Sequence, residues 1–364
     1  MCILQHCINR GGGGTDCLAW ASAQVHCQCS VSETRVVLSK SQHISTEEAS
    51  PSAGDTSFVP SKGERGLTVL STKPRILFCD LKLKVGQSRT FIFEDVLPTD
   101  APPSFKGQSV KYSYKLTIGA QKFNHPTRLL RIPFRVLVLH GLNDITVYTE
   151  GEEVTPSNPF HKPNPQEENT FLDIANEVMS TITAKKAPHP YNITNQRGRV
   201  ATFTLFKQAF KLGEDIVGVF DFSEGTVPCV QYSVTLQTEE QIAEECRRKP
   251  SQGSFVTCYV KHQEMCLHTD ETHFCIPIPL TATPGFITDI VCLRWRLHFE
   301  FVTSIEPIPG PEKPSTPSDS ASWRGPATLN VETMYWDLPI KVYPTSPLTV
   351  SGAMLLRTIC NMSI

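Results

Sequence analysis

The chain has 364 residues, with 34 basic and 36 acidic side chains and a formal charge of −2. That length suits two domains or one large one, and the balanced charge excludes a protein that coats phosphates over its whole surface. With 40% hydrophobic and 19% charged residues, wholesale disorder is excluded too.

Prolines outnumber glycines, 28 to 21, and punctuate short apolar runs, which favours strands over helical bundles. Residues 1–17 are rich in Cys and Gly and read as a flexible leader; 18–38 carry strand-like text and 39–66 a Ser-, Glu- and Gly-rich loop. Alternation bounded by turn residues predicts strands at Arg75–Leu83, Ser88–Phe93, Val110–Ile118 and Leu129–Leu139. A polar, Pro-rich linker follows, and within it a helix is predicted over about 170–186. Thr170 and Asp173 form its capping-box variant, Phe171, Ala175, Val178 and Ile182 its apolar stripe, and Lys185 and Lys186 its basic end, closed by Pro188 and Pro190. An apolar stripe packs on a sheet more often than it recruits a partner.

Further strands are predicted at Val200–Phe206, Ile216–Phe222, Val230–Leu236, Phe255–Val260, Phe274–Ile278, Ile290–Val302 and Tyr335–Val342. A Pro-rich insertion, 306–320, interrupts them; its Pro311-x-x-Pro314 is a plain loop before it is a ligand for an SH3-type groove. Ile290–Val302 is the clearest strand, with Val291, Leu293, Trp295, Leu297, Phe299 and Phe301 alternating with polar residues, which requires one buried and one wet face.

The text repeats. Pro103-Ser104-Phe105 before Val110, Tyr112, Tyr114, Leu116 and Ile118 recurs 181 positions on as Pro284-Gly285-Phe286 before Val291, Leu293, Trp295, Leu297 and Phe299. Ile132-Pro133-Phe134-Arg135-Val136 recurs as Leu338-Pro339-Ile340-Lys341-Val342 at an offset of 206, and its mid-strand prolines predict edge strands or bulges. Val25–Cys29 is expected to correspond to Tyr232–Leu236. Two tandem β-sandwiches result: an all-β chain with a leader at 1–17, a first sandwich at 18–145, a helical linker at 146–190, a second sandwich at 191–345 and a tail at 346–364. The counterparts of Val200–Phe206 and Ile216–Phe222 are expected to be missing from the first sandwich, as an alternative or mis-assigned start would leave it.

Two such sandwiches, with Pro102-Pro103-Ser104-Phe105 leading into Val110-x-Tyr112-x-Tyr114, resemble the arrestin fold. Gly107–Tyr112, Leu130–Leu137, Leu212–Gly218, Trp295–Phe301 and Trp336–Val342 are similar to the Rgp family over roughly 18–350. The resemblance implies the non-enzymatic, arrestin-like subunit of a Ric–Rgp guanine-nucleotide exchange complex. It also implies a large Ric-type partner, a Rab-six-type GTPase, peripheral association with Golgi membranes and a role in endosome-to-Golgi retrograde transport. A stand-alone arrestin-like adaptor gripping membrane-protein tails is the alternative.

No apolar run of 18 residues occurs, and the start Met1–His6 has neither a basic nor a continuous apolar region; a cytosolic protein with reduced thiols is expected. Phosphate loops, dinucleotide fingerprints, nucleophile elbows and Cys-x-x-Cys pairs do not occur, so no catalytic, cofactor or metal residues are assigned. Cys258, His262, Cys266, His268, His273 and Cys275 form a cluster that a hairpin would bring together on zinc, but their spacing fits no standard pattern. Cys27 and Cys29 share a strand face and read as core thiols. Lys111 with Lys115, Arg131 with Arg135, and Arg294 with Arg296 occupy wet strand faces. A solvated surface is the default for them and an acidic partner or anionic membrane the alternative. A nucleic-acid partner is not expected, because the interleaved aromatics face inward and the net charge is slightly negative.

Overall fold

A computed structural model describes residues 16–38, 66–138 except 85, 86 and 99, 171–184, 188–308 and 326–345, with the short pieces 2–5, 7–8 and 362–363. The first half carries β1 (Cys2–Gln5), β2 (Cys7–Ile8), β3 (Asp16–Val31), β4 (Leu67–Ser71), β5 (Arg75–Leu83), β6 (Thr90–Phe93), β7 (Phe105–Lys106), β8 (Val110–Lys122) and β9 (Arg128–Phe134). Helix α1 (Phe171–Ile182) follows. The second half carries β10 (His189–Asn195), β11 (Gly198–Leu205), β12 (Ala209–Lys211), β13 (Asp215–Asp221), β14 (Cys229–Ile242), β15 (Ser254–Met265), β16 (Glu271–Pro277), β17 (Phe286–Ile287), β18 (Val291–Ser304) and β19 (Val331–Tyr343), with β20 (Met362–Ser363) at the end of the chain. The protein is all-β, with one α-helix among the described residues.

In the second half a four-stranded sheet, β10-β11-β13-β16, faces a larger one, β12-β19-β18-β14-β15, on which β17 also pairs with β18. Phe203, Phe220 and Phe274 from the first sheet and Tyr232, Leu297, Phe299 and Phe301 from the second are all fully buried in one core. Period-two alternation supplies these inward rows, and each buried aromatic contributes about 2–3 kcal/mol. Gly218 makes room for them: a Cβ there would lie 2.6 Å from the Phe203 and Phe274 rings. In the first half β3 and β8 form the centre of one sheet, with β4 and β5 on the outer side of β3 and β7 and β9 on the outer side of β8. Cys27 and Cys29 are buried in its core, as their shared face requires.

The internal repeat holds down to single hydrogen bonds. Phe105 pairs with Tyr112 and Lys106 with Lys111 in the first half; 181 positions on, Phe286 pairs with Leu293 and Ile287 with Cys292. Tyr114 donates to the Pro102 carbonyl at 2.6 Å, and its counterpart Trp295 donates through Nε1 to the Thr283 carbonyl at 3.1 Å. The Ser104 amide donates to Val136 and the Gly285 amide to Val342. Both prolines lie on edges. Among the described residues β9, with Pro133, pairs only with β8, and β12 covers β19 only from Lys341 to Tyr343, beyond Pro339.

Several expectations change. Val25 pairs with Leu116 and Leu236 with Leu297, so Val25 corresponds to Leu236 rather than to Tyr232. The expected alignment is four residues out, an even slip that leaves inward and outward faces unchanged and so is invisible to a period-two pattern. The strand expected to reach Leu139 ends at Phe134, because the chain beyond Pro133 turns to Ser104. The helix ends at Ile182 with no basic residue in its last turn. Lys185 and Lys186, like Thr170, lie outside the described residues, as do most of the linker and of the insertion. Val178 and Met179 are its buried apolar residues and Ile182 is half-buried. The short strands β4, β10 and β12 are additional to the predicted set; β10 carries Pro190 and lies at a sheet edge, where a proline costs no ladder bond.

Candidate interaction surfaces

The two halves meet along the loop between β7 and β8. Gly107 to Val110 forms a turn closed by the Gly107 amide donating to the Val110 carbonyl, leaving successive amides pointing one way. Glu240 of β14, only 4% exposed, fills that position: its Oε2 accepts the Gln108 amide at 2.7 Å and its Oε1 accepts Ser109 at 2.9 Å and Val110 at 3.3 Å. A buried carboxylate is tolerated when charge-assisted bonds of this kind surround it. The equivalent loop in the second half, closed by Thr288 donating to Val291, supplies its own acceptor, Thr288 Oγ1, to the amides of Ile290 and Val291. Gly107, the counterpart of Thr288, has no side chain to offer, and a Cβ there would collide with Glu240 and the Phe105 ring.

Around this contact Arg135 donates to the carbonyls of Leu280 at 3.1 Å and Ala282 at 2.6 Å, and Tyr112 and Thr288 share a hydroxyl bond at 3.1 Å. Val37 donates to Cys246, Arg248 donates to Arg35, and the Arg35 guanidinium lies 4.4 Å from the centre of the Phe255 ring. One hydrophobic cluster spans the contact, joining Val110 and Tyr112 to Ile242, Phe286, Ile290 and Leu293.

Beside the junction opens a cleft of about 800 Å³. It brings together the lysines and arginines that the sequence placed on two separate wet strand faces: Lys111 and Lys115 from β8, Arg131 from β9 and Arg135 just beyond it, with Lys106 from β7 added. Thr281 and Thr283 of the second half close one side. No carboxylate lines it among the described residues. The other basic pair behaves differently. Arg296 pairs with Glu239 at 3.4 Å and Asp337 at 3.2 Å, and Asp337 also bonds His298 Nδ1 at 2.6 Å. Burial works against the Glu239 charge, but hydrogen bonds from Ser254 and Gln241 and the nearby Arg296 and Arg294 hold its carboxyl below the ordinary range. That face is electrically self-satisfied.

The Cys and His cluster does not converge. No hairpin joins β15 and β16: β15 pairs with β14 in the large sheet and β16 with β13 in the small one. Cys258 and Cys275 are exposed on these separate sheets, Cys266 is buried beyond the end of β15, and His268 occupies the connection with a φ of 61°. His262 lies 3.3 Å from the Tyr232 hydroxyl and 3.6 Å from Glu264. Among the described residues no group of three or more His, Cys, Asp or Glu side chains is placed to hold a metal ion. No helix among them is long and apolar enough to cross a membrane.

Comparison with known proteins agrees with the family resemblance of the motifs. The Rgp1 family matches residues 37–144 and 141–304. The chain is 49% identical over 350 residues to RAB6A-GEF complex partner protein 2 of Homo sapiens, covering 93% of this chain and 88% of that one. It is 48% identical over 338 residues to the protein of the same name from Bos taurus, covering 90% and 84%. The chain belongs to the Rgp1 family.

Proposed function

We propose that this protein is a non-enzymatic subunit of a guanine-nucleotide exchange complex that activates a Rab-six-type GTPase. It would act on Golgi membranes in endosome-to-Golgi retrograde transport, together with a large Ric-type subunit. The observation that carries the reading is near-half identity, over most of both chains, to proteins named as partners in a RAB6A exchange complex. The fold suits the role. Broad sheet faces and a junction welded by buried bonds make a stiff scaffold that orients a larger partner and the GTPase. Exchange needs no covalent chemistry; it needs a complex that binds the GTPase better without nucleotide than with it, so that binding drives release. This chain contributes by holding the complex in the conformation that makes that distinction.

The test is nucleotide release from the purified GTPase with this chain alone, the large subunit alone and both together. Stoichiometric copurification of the two subunits, and faster release by the pair than by either alone, are expected. Release by the pair no faster than by the large subunit alone would reduce this chain to a stabilising role. Failure to copurify would remove it from the complex. Imaging of the tagged chain against a Golgi marker tests its location.

A further inference from the structure

We infer that the basic cleft beside the junction is a docking site for an extended, Asp/Glu-rich peptide segment of a partner protein. The inference rests on reading the chain as an interaction subunit and adds the site and the ligand chemistry. Five cations line the cleft in a chain whose net charge is −2. Lys106 and Lys111 are exposed, face each other directly across the β7–β8 pair, and their side chains form no hydrogen bond or ion pair among the described residues. Like charges opposite one another destabilise a sheet, so folding alone does not favour two lysines there.

The repeat supplies an internal control. The positions of Lys106, Lys111, Lys115, Arg131 and Arg135 correspond in the second half to Ile287, Cys292, Arg296, Asp337 and Lys341. The same backbone there carries two cations and a carboxylate, and Arg296 is paired. The fold therefore does not dictate the positive charge of the first-half cleft.

Spacing selects the ligand. Lys111 and Lys115 lie four residues apart on the outward row of β8, roughly 13–14 Å by strand rise, with Arg131 on the same face of β9 and Arg135 just beyond its end. An extended peptide presents every fourth side chain on one face at that interval, so acidic residues among its alternate positions reach Lys111 and Lys115 together. The cleft is concave and walled by Thr281 and Thr283, a shape that admits a single chain more readily than the plane of a bilayer.

The probe is a fluorescein-labelled peptide of alternating Glu and Ser, with a Gln/Ser peptide as the neutral control, read by anisotropy against the full-length chain. Saturable binding of the acidic peptide is expected, weakened at least tenfold by Lys106→Glu with Lys111→Glu and left unchanged by Lys249→Glu, an exposed lysine outside the cleft. The double variant should keep its melting temperature, because both side chains are exposed. Equal binding by the wild type and the double variant, or no binding to the wild type, overturns the site. Sedimentation with phosphatidylserine vesicles, lost in the double variant and without peptide binding, overturns the peptide in favour of a membrane. Copurification with the large subunit is scored separately: peptide binding without copurification overturns the complex but not the cleft, and the reverse overturns the cleft alone.

Discussion

Phe105 and Phe286 are equivalent residues of the two repeats, and they pack against each other at the junction, ring centres 5.0 Å apart and planes at 68°. Each enters its own long strand through the same two-residue pairing, Phe105 to Tyr112 and Phe286 to Leu293. The duplicated motif is therefore used twice, once to start each sheet and once to join them. Removing either ring should cost about 3–4 kcal/mol by leaving a hole in a shared core. The double-mutant cycle of Phe105→Ala and Phe286→Ala should show a coupling of about 1 kcal/mol, as an edge-to-face pair gives. Urea unfolding of the four proteins measures it; strict additivity would mean that the rings do not meet.

Glu240 and Gly107 make a second interdependent pair. Glu240→Ala leaves the buried amides of Ser109 and Val110 without acceptors and should destabilise by roughly 3 kcal/mol. Gly107→Ala should destabilise the wild type by about 1–3 kcal/mol, since its methyl meets the Glu240 carboxylate and the Phe105 ring. In the Glu240→Ala background only the Phe105 collision remains, so the cost of Gly107→Ala should shrink without vanishing. An equal cost in both backgrounds, read from urea midpoints, would contradict the close approach.

The sequence reveals the second-half sheet and the repeat clearly because both rest on local text: strict alternation in Ile290–Val302 and two fixed offsets carried by Pro, Phe and aromatic residues. It does not reveal Glu240, whose partners lie about 130 positions away and whose own neighbourhood, Gln237 to Gln241, lies beyond the strand predicted to end at Leu236. The cleft is half legible. Alternation placed Lys111, Lys115, Arg131 and Arg135 on outward faces, but only the pairing of β8 with β9 and the return of the second half bring them to one opening. Arg294 and Arg296 looked the same in the sequence and are answered by Glu239 and Asp337. Pairing across strands, not composition, decides which outward arginines meet a carboxylate.

The thiols should divide by burial. Burial pushes the Cys27 and Cys29 thiols up to about 12, so both remain protonated at neutral pH, when the thiolate is the reactive form. Cys79, Cys258 and Cys275 are exposed. Brief treatment of the native protein with iodoacetamide, followed by site-resolved mass spectrometry, should label these three and spare Cys27 and Cys29 until denaturant is added. Early labelling of Cys27 or Cys29 would mean that the first-half core opens readily.

Acid should weaken the outer rim of the second half through two carboxylates. The Tyr232 hydroxyl, at 2.7 Å, holds the Glu264 carboxyl below its usual 4.5 against the opposing effect of burial, and Thr272 and His262 assist. Lys261 at 2.8 Å and Ser233 at 2.7 Å do the same for Glu300. A carboxylate with a lowered pKa in the folded state binds its proton more readily once unfolded. Its stabilisation is complete above the unfolded value and is lost as pH falls through the folded one. Urea midpoints should therefore decline between about pH 5 and about pH 3. Glu264→Gln keeps an acceptor for Tyr232 but removes the titration, so its decline should be shallower than that of the wild type. Parallel declines would assign the acid sensitivity to other groups.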